Sequence, residues 1–106
     1  MNAKPVIFRQ RAALDVDDAI AFYLADASAD VALGFIDDLE RACLRIALHP
    51  ASGSSRYAHE LDLQDLRAWP LSRYPHVVFY VDDRDRIDVW RVLHGKRDIP
   101  TWMLQT

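Results

Sequence analysis

The chain has 106 residues, of which 51% are hydrophobic and 27% are charged, with a net charge of −3. This length supports one compact domain with its own core, and the composition excludes an intrinsically disordered chain. The charge is uneven, because residues 1–40 sum to −5 whereas residues 41–72 and 73–106 each sum to +1. An acidic first part argues against nonspecific coating of DNA or RNA, and we expect no direct sequence-specific binding of nucleic acid.

The sequence predicts neither a membrane span nor an export signal. No run approaches the roughly 18 consecutive apolar residues of a transmembrane helix. The first ten residues lack a cationic head followed by a long apolar stretch, which a secretory signal would have. The single cysteine, Cys43, offers no disulfide framework and suits a reducing compartment. We therefore expect a cytoplasmic protein without membrane contact.

The first half of the chain predicts one strand and two helices. Residues 5–8 form a short apolar run after a proline, which indicates a strand. From about Ala12, apolar residues recur at helical spacing, and the aspartates near the start favour the positive end of the helix dipole. The polar stretch 26–30 breaks this pattern and can supply a cap. A second helical pattern follows and ends at His49 and Pro50, because the residue before proline avoids helical dihedral angles.

The second half predicts three strands. Residues 51–65 have no clear period, and we expect strands at 66–71, 77–81 and 87–93, with a polar hairpin turn at 82–85. Two helices joined by a short connection form an antiparallel hairpin. The predicted fold class is therefore α+β: an N-terminal strand and an antiparallel helical hairpin packed on a mainly antiparallel sheet with three C-terminal strands. Residues 1–106 are expected to form a single domain.

The inventory of reactive side chains predicts neither a metal site nor a cofactor. The four histidines do not pair at the i, i+4 spacing of a helical zinc site, and there is no second cysteine. Three widely separated glycines cannot form a phosphate-binding loop, and no nucleophile elbow is present. The aspartates at positions 15, 17, 18, 37 and 38 fall on the predicted helices, where a solvated role is the common one.

Two features of the second half leave alternatives open. Its basic residues could bind phosphates or acidic side chains, or could simply balance nearby acids, which is the alternative we favour. They are Arg56, Arg67, Arg73, Arg91, Lys96 and Arg97, and the nearby acids are Glu60, Asp62, Asp65, Asp88 and Asp98. The apolar tail around Trp102 either folds back onto the sheet or stays partly exposed as an anchor for another protein. Trp90, inside a predicted strand, is expected in the core.

Four sequence features together resemble the RelE/ParE superfamily of bacterial toxins. They are His49-Pro50 followed by Gly53, then Leu66-Arg67, then RYPHVVFYV at residues 73–81, and finally RVLHGKRDIP at residues 91–100. The resemblance extends over nearly the whole chain, and the last motif is its most specific part. Within the superfamily the chain is closer to the ParE branch of plasmid-stabilisation toxins than to the RelE branch.

The branch decides which function the resemblance implies. RelE-type toxins are ribosome-dependent mRNA endonucleases that use basic side chains and a C-terminal tyrosine or histidine for proton transfer. In this chain the corresponding arginine position is Val77 and the tyrosine position falls near Trp102 and Met103, none of which transfers protons. ParE-type toxins instead bind and poison DNA gyrase and are neutralised by a ParD-like antitoxin. The resemblance therefore implies a gyrase-binding toxin of a type II toxin–antitoxin system, without a catalytic set of its own.

Two alternatives stay open at this stage. One is a RelE-type nuclease in which His76 or His94 supplies the acid–base chemistry. The other is an inactive homologue that only binds the antitoxin.

The resemblance also suggests where the partners bind. The candidate target-binding residues are Arg73, Lys96, Arg97 and Trp102. His94, Gly95 and Asp98 belong to a structural exit from the last strand, where Gly95 gives the backbone freedom and Arg97 and Asp98 fix the tail. A ParD-like segment would fold over a groove between hairpin and sheet, forming a hetero-oligomer. Leu33, Leu44 and Leu48 on the second helix are candidates for that contact, with an ordinary core role as the alternative.

Overall fold

A four-stranded sheet with helices on both faces organises the computed structural model, which describes residues 4–96 and 99–103. The elements in chain order are β1 (Val6–Phe8), α1 (Gln10–Asp26), α2 (Ala29–Leu48), a 3₁₀ turn (Pro50–Ser52), α3 (Arg56–Leu61), β2 (Leu66–Pro70), β3 (His76–Asp82), β4 (Ile87–His94) and α4 (Ile99–Met103). The predicted α+β class is confirmed, and the short helices α3 and α4 are additions to the predicted elements. None of the helices in the described ranges combines the length and apolarity needed to cross a bilayer.

The strands lie in the order β1-β4-β3-β2. β1 runs parallel to β4, whereas the β4–β3 and β3–β2 pairs are antiparallel, so the sheet is mainly antiparallel as predicted. The register between β3 and β4 shifts where Phe79 opposes Arg91 and Tyr80 opposes Val89, which leaves Trp90 as the extra residue of a bulge. This bulge lies in the middle of the sheet and changes the direction of the β4 side chains that follow it.

Both faces of the sheet are covered, which explains why the apolar residues of β3 and β4 do not simply alternate with polar ones. One core cluster lies between the sheet and the helical hairpin and includes Phe35, Val78, Tyr80 and Val89. The opposite face carries a second cluster beneath α3 and α4. Its buried members are Leu66, Ala68, Phe79, Leu93, Ile99 and Met103. The C-terminal helix therefore belongs to the packed domain.

Local sequence features account for both ends of α2 but not for the start of α1. α2 starts after Ser28, whose hydroxyl accepts a hydrogen bond from the Val31 N–H at 3.2 Å, as expected for a cap in the polar stretch 26–30. It ends at Leu48, directly before His49 and Pro50, as predicted. α1 begins earlier than expected, at Gln10, so its first turn contains no aspartate and the expected favourable effect on the helix dipole is absent there.

Trp90, expected in the core, is only partly buried and packs against the edge of the second core cluster. Its indole N–H donates to the Asp88 carboxylate at 3.2 Å. The Arg9 guanidinium stacks over the indole ring at 4.3 Å and forms an ion pair with the same carboxylate at 2.9 Å. Because these three residues come from the β1–α1 junction and from β4, they fasten the start of α1 to the sheet.

The connection between β2 and β3 is fastened to α2 by two polar contacts. The buried Asp38 carboxylate accepts hydrogen bonds from the Arg73 and Tyr74 backbone N–H groups at 2.8 and 3.2 Å. The Tyr74 hydroxyl donates to the Val31 carbonyl at 2.6 Å, one turn before Gly34. This loop is therefore held in a fixed position beside the helical hairpin.

We expect the effect of Gly34→Ala on the free energy of unfolding to depend in sign on the residue at position 74. A β-carbon on Gly34 would lie 2.5 Å from the Tyr74 hydroxyl oxygen and 3.5 Å from the nearest ring carbon. In the wild-type chain the clash should lower the free energy of unfolding by about 1–2 kcal/mol. In a Tyr74→Phe background the clash is gone, and the higher helix propensity of alanine should instead add up to about 1 kcal/mol. Urea unfolding of the four proteins tests this, and the same sign in both backgrounds would contradict it.

Candidate functional site

A cleft of about 330 Å³ lies between α1 and the end of the β3–β4 pair, beside α4. Its lining combines aromatic, imidazole, carboxylate and aliphatic side chains: Asp15, Asp18, Ala19, Phe22, Tyr23, His76, Val92, Leu93, His94 and Trp102. Four of these residues follow one stripe of α1 because positions 15, 18, 19 and 22 repeat at helical spacing. Phe22 is 57% exposed, so the wall formed by α1 presents an aromatic ring to solvent.

A buried ion pair joins α1 to β4 at the base of the cleft. The Arg91 side chain is fully buried, and its Nε and Nη2 atoms donate to the two Asp15 carboxylate oxygens at 2.7 and 2.8 Å. Asp15 also accepts from the Val92 backbone N–H at 3.0 Å. The hydrogen bond to Asp15 raises the pKa of Arg91. Because an unpaired buried guanidinium is costly, Asp15 has a structural role that its position on a helix did not predict.

The same arginine holds the C-terminal helix. Its Nη1 atom donates to the Trp102 backbone carbonyl at 2.5 Å. Ile99 and Met103, on α4, are buried against the sheet, while the Trp102 side chain is half-buried and lines the cleft. The alternative in which the tail folds back onto the sheet is therefore the observed one for residues 99–103, and Trp102 still contributes surface to the cleft.

Two imidazole rings lie side by side in the cleft. His76 and His94 face each other across β3 and β4, with ring centroids 5.4 Å apart. His94 accepts a hydrogen bond at Nδ1 from the Lys96 backbone N–H at 3.1 Å, which places the proton of the neutral ring on Nε2. His76 packs against the ring of Phe35 at 4.9 Å. This pair places two imidazoles, which can accept and donate protons, next to one another in the cleft.

The remaining target-binding candidates surround this end of the sheet. Lys96 is exposed in the turn that follows β4, and Arg73 is exposed in the connection before β3. The two segments are adjacent, because the Gly95 N–H donates to the Pro75 carbonyl at 2.6 Å. Trp102 and these two cations therefore lie near one end of the β3–β4 pair. Arg97 and Asp98, predicted to fix the tail, lie outside the described residues.

Gly95 does not occupy a backbone conformation that favours glycine. No glycine among the described residues has a positive φ angle. A β-carbon at Gly95 would instead approach the Pro75 carbonyl oxygen to 3.1 Å. The absence of a side chain thus serves the close contact between the β4 exit and the loop before β3.

Three of the six basic residues considered as a phosphate-binding set, Arg56, Arg67 and Arg91, have side-chain partners in the structure. Arg56 pairs with Glu60 at 3.4 Å, and the Arg67 guanidinium donates to the Ala51 and Gly53 carbonyls at 3.0 and 2.9 Å. Arg91 pairs with Asp15, as described above. Of these three contacts, the Arg56–Glu60 pair is the balancing by a nearby acid that we favoured. Arg67 instead binds backbone carbonyls, and Arg91 pairs with an acid that we did not name.

The three leucines proposed to contact an antitoxin lie on α2 with their side chains in solvent. Leu33, Leu44 and Leu48 are 61%, 66% and 63% exposed. The buried stripe of the same helix, which includes Phe35, Leu39 and Ile46, faces the sheet. The leucines therefore point away from the sheet and do not line a groove between the hairpin and the sheet. The alternative of an ordinary core role is excluded.

The cysteine in the same helix is not poised for chemistry. Burial raises the pKa of the Cys43 thiol to about 11, with the Glu40 charge adding to the effect. At neutral pH the thiol is therefore protonated and a poor nucleophile. Among the residues that the structure describes, no group of three His, Cys, Asp or Glu side chains is placed to hold a metal ion.

Sequence reasoning missed three residues of structural or surface importance: Asp15, Phe22 and Asp38. Asp38 had a recognisable signal, because it lies three residues after Phe35 and four before Ala42, on the apolar face of α2. Phe22 could have been noticed as a large aromatic residue outside the apolar stripe of α1. Asp15 had no such signal, since its partner Arg91 is 76 positions away.

Comparison with known proteins identifies the family. The family model described as "ParE toxin of type II toxin-antitoxin system, parDE" matches residues 6–99. A solved chain of the chromosomal ParDE toxin–antitoxin system from P. aeruginosa is similar in structure, with a TM-score of 0.73 and 17% sequence identity over 89% of this chain and 98% of that chain. At this identity the likeness concerns the fold. No curated protein matches by sequence. Since the family model spans from β1 to the start of α4, the chain belongs to the ParE toxins of type II parDE toxin–antitoxin systems.

Proposed function

We propose that this ParE toxin binds DNA gyrase through the cleft beside α4 and that a ParD-like antitoxin neutralises it. The observation that carries the proposal is the preorganised aromatic surface of the cleft. Trp102 lies on a helix whose backbone is held by the buried Arg91, and Phe22 on α1 is 57% exposed nearby. Family membership supports the antitoxin partner, because parDE toxins occur with one. Gyrase as the target comes from the resemblance to the ParE branch.

The physical character of the cleft suits recognition of a protein. Tryptophan and other aromatic side chains dominate the binding energy of protein interfaces, and they do so best when they are held rigidly before binding. Lys96 and Arg73 lie exposed beside this end of the sheet and provide a polar rim. Rim charges of this kind contribute to the association rate and to specificity more than to affinity.

The antitoxin contact is proposed on the outer face of α2. Its three exposed leucines can be covered by apolar side chains of a segment that folds on binding. A segment placed there lies on the opposite side of the hairpin from the sheet. The antitoxin would thus form a hetero-oligomer with the toxin through a surface different from the cleft.

A gyrase supercoiling assay with the purified toxin, run beside an mRNA cleavage assay on programmed ribosomes, tests the proposal. The expected result is loss of supercoiling with accumulation of cleaved DNA, and intact mRNA. Normal supercoiling at a toxin concentration that arrests growth would contradict it. No growth arrest on expression without the antitoxin would instead identify an inactive homologue.

The histidine pair favours one second candidate, the ribosome-dependent mRNA endonuclease. His76 and His94 lie 5.4 Å apart in the cleft, and two adjacent imidazoles can serve as general base and general acid. Val77 and Met103, at the positions where RelE-type enzymes have reactive side chains, offer no such chemistry. Cleavage of mRNA that is lost in a His94→Ala variant would establish this candidate in place of the first.

A further inference from the structure

The outer face of α2 carries an apolar stripe that no other described element covers. Leu33, Leu44 and Leu48 are each more than 60% exposed. Leu33 and Leu44 are about three helical turns apart, and Leu48 follows one turn later, so the three side chains lie along one face. Exposed leucines in this arrangement are typical of a helix that packs against another helix.

The charges along the same face change sign between residues 40 and 41. Asp30, Asp37 and Glu40 are exposed before this point, and Arg41 and Arg45 are exposed after it. Asp37 and Arg41 pair within the helix at 3.1 Å, with both side chains more than half exposed. A helix face that is acidic before residue 41 and basic after residue 40 is complementary to a copy of itself that runs in the opposite direction about that point.

We propose that α2 is a self-association surface on which a second copy of this chain packs antiparallel about a two-fold axis between Glu40 and Arg41. In this register Leu33 opposes Leu48 of the second copy, and Glu40 opposes its Arg41. The axis repeats each contact, as in every isologous interface. The antiparallel direction also opposes the two helix dipoles.

The apolar area predicts a weak and reversible dimer. A standard stable interface buries about 800 Å² on each partner, and three leucines with a few charged neighbours provide considerably less. Pairing should therefore appear only at high toxin concentration. An antitoxin segment that covers the same leucines excludes the second copy, so the dimer is a property of the toxin without its antitoxin.

Sedimentation velocity of the isolated toxin over a wide range of concentrations is the first test. The expected result is a reversible shift from monomer to dimer, which Leu33→Asn weakens by about tenfold or more because it replaces both copies of the leucine that opposes Leu48. Leu24→Asn is the matched control, because Leu24 is 54% exposed on α1, outside the stripe, and its substitution should leave the dimer unchanged. A monomer at every concentration would overturn the proposal.

A charge exchange between two variants tests the register. Glu40→Lys alone and Arg41→Glu alone each place like charges opposite one another, so each variant should dimerise about tenfold more weakly than the wild type. An equimolar mixture of the two restores opposite charges at both contacts and should form the mixed dimer. A mixture no more associated than either variant alone would overturn the antiparallel register. Neither result depends on the target, because gyrase inhibition is measured separately.

Discussion

Replacing Asp15 with alanine is expected to lower the free energy of unfolding by about 3–5 kcal/mol. The Arg91 side chain is fully buried, and Asp15 is its carboxylate partner. Without Asp15 the guanidinium stays in the interior with its charge uncompensated, and the Val92 N–H loses its acceptor. Removing one partner of a buried pair costs far more than the pair itself contributes, because the remaining charge has lost its solvation.

Urea unfolding followed by circular dichroism measures this effect. Asp18→Ala is the matched control, since Asp18 lies on the same helix and lines the same cleft but is exposed, and a surface change of this kind stays within about 0.5 kcal/mol. A loss below about 1 kcal/mol for Asp15→Ala would mean that water solvates Arg91 in the folded protein, contrary to its complete burial.

The double variant Asp15→Ala, Arg91→Met distinguishes two contributions to the loss of stability: the unpaired buried charge of Arg91 and the lost hydrogen bonds. A well-packed apolar replacement of a buried ion pair is often neutral in stability. Here it still leaves the Val92 N–H and the Trp102 carbonyl without their partners, each at a cost of about 1–3 kcal/mol if water cannot reach them. We therefore expect the double variant to be more stable than Asp15→Ala but less stable than the wild type.

The elements that the sequence predicted are those whose signal is local. The hairpin α1–α2 has a sustained helical period and a serine cap, and α2 ends before a proline. β3 and β4 are rich in β-branched and aromatic residues and are joined by a polar turn. The short helices α3 and α4, of six and five residues, have no such signal. Helices this short are unstable alone, and α4 exists because Ile99 and Met103 are buried against the sheet.

The candidate site was only partly predictable for the same reason. Trp102 could be singled out as a large aromatic residue in a tail, and the structure places it in the cleft. Its neighbours there come from α1, β3 and β4, and a single sequence does not indicate which residues of distant elements meet. Asp15 and Arg91 are 76 positions apart, and their pairing arises from the packing of α1 on β4 rather than from any pattern along one of these elements.

Trp102→Ala is expected to abolish most of the toxicity while the domain stays folded. Arg91 binds the backbone carbonyl of Trp102, and this contact is available to any residue at position 102. Ile99 and Met103 keep their buried positions, so α4 should stay in place. The lost indole removes an aromatic anchor from the cleft, and truncating an anchor of this kind costs 2 kcal/mol or more, which is about thirtyfold in affinity.

The toxicity of the Trp102→Ala variant is measured as growth inhibition on controlled expression, with the toxin level determined in the same cells. Phe22→Ala should reduce toxicity as well, because Phe22 lines the same cleft, whereas Leu24→Ala, on the same helix and exposed to 54%, should retain it. The unfolding midpoints of the three variants distinguish a lost contact from a lost fold. Full toxicity of both Trp102→Ala and Phe22→Ala at equal protein level would contradict the proposal that the target binds in the cleft. In that case the exposed cations Arg73 and Lys96, at the same end of the sheet, become the residues to test, because their contact with a target would not require the aromatic surface.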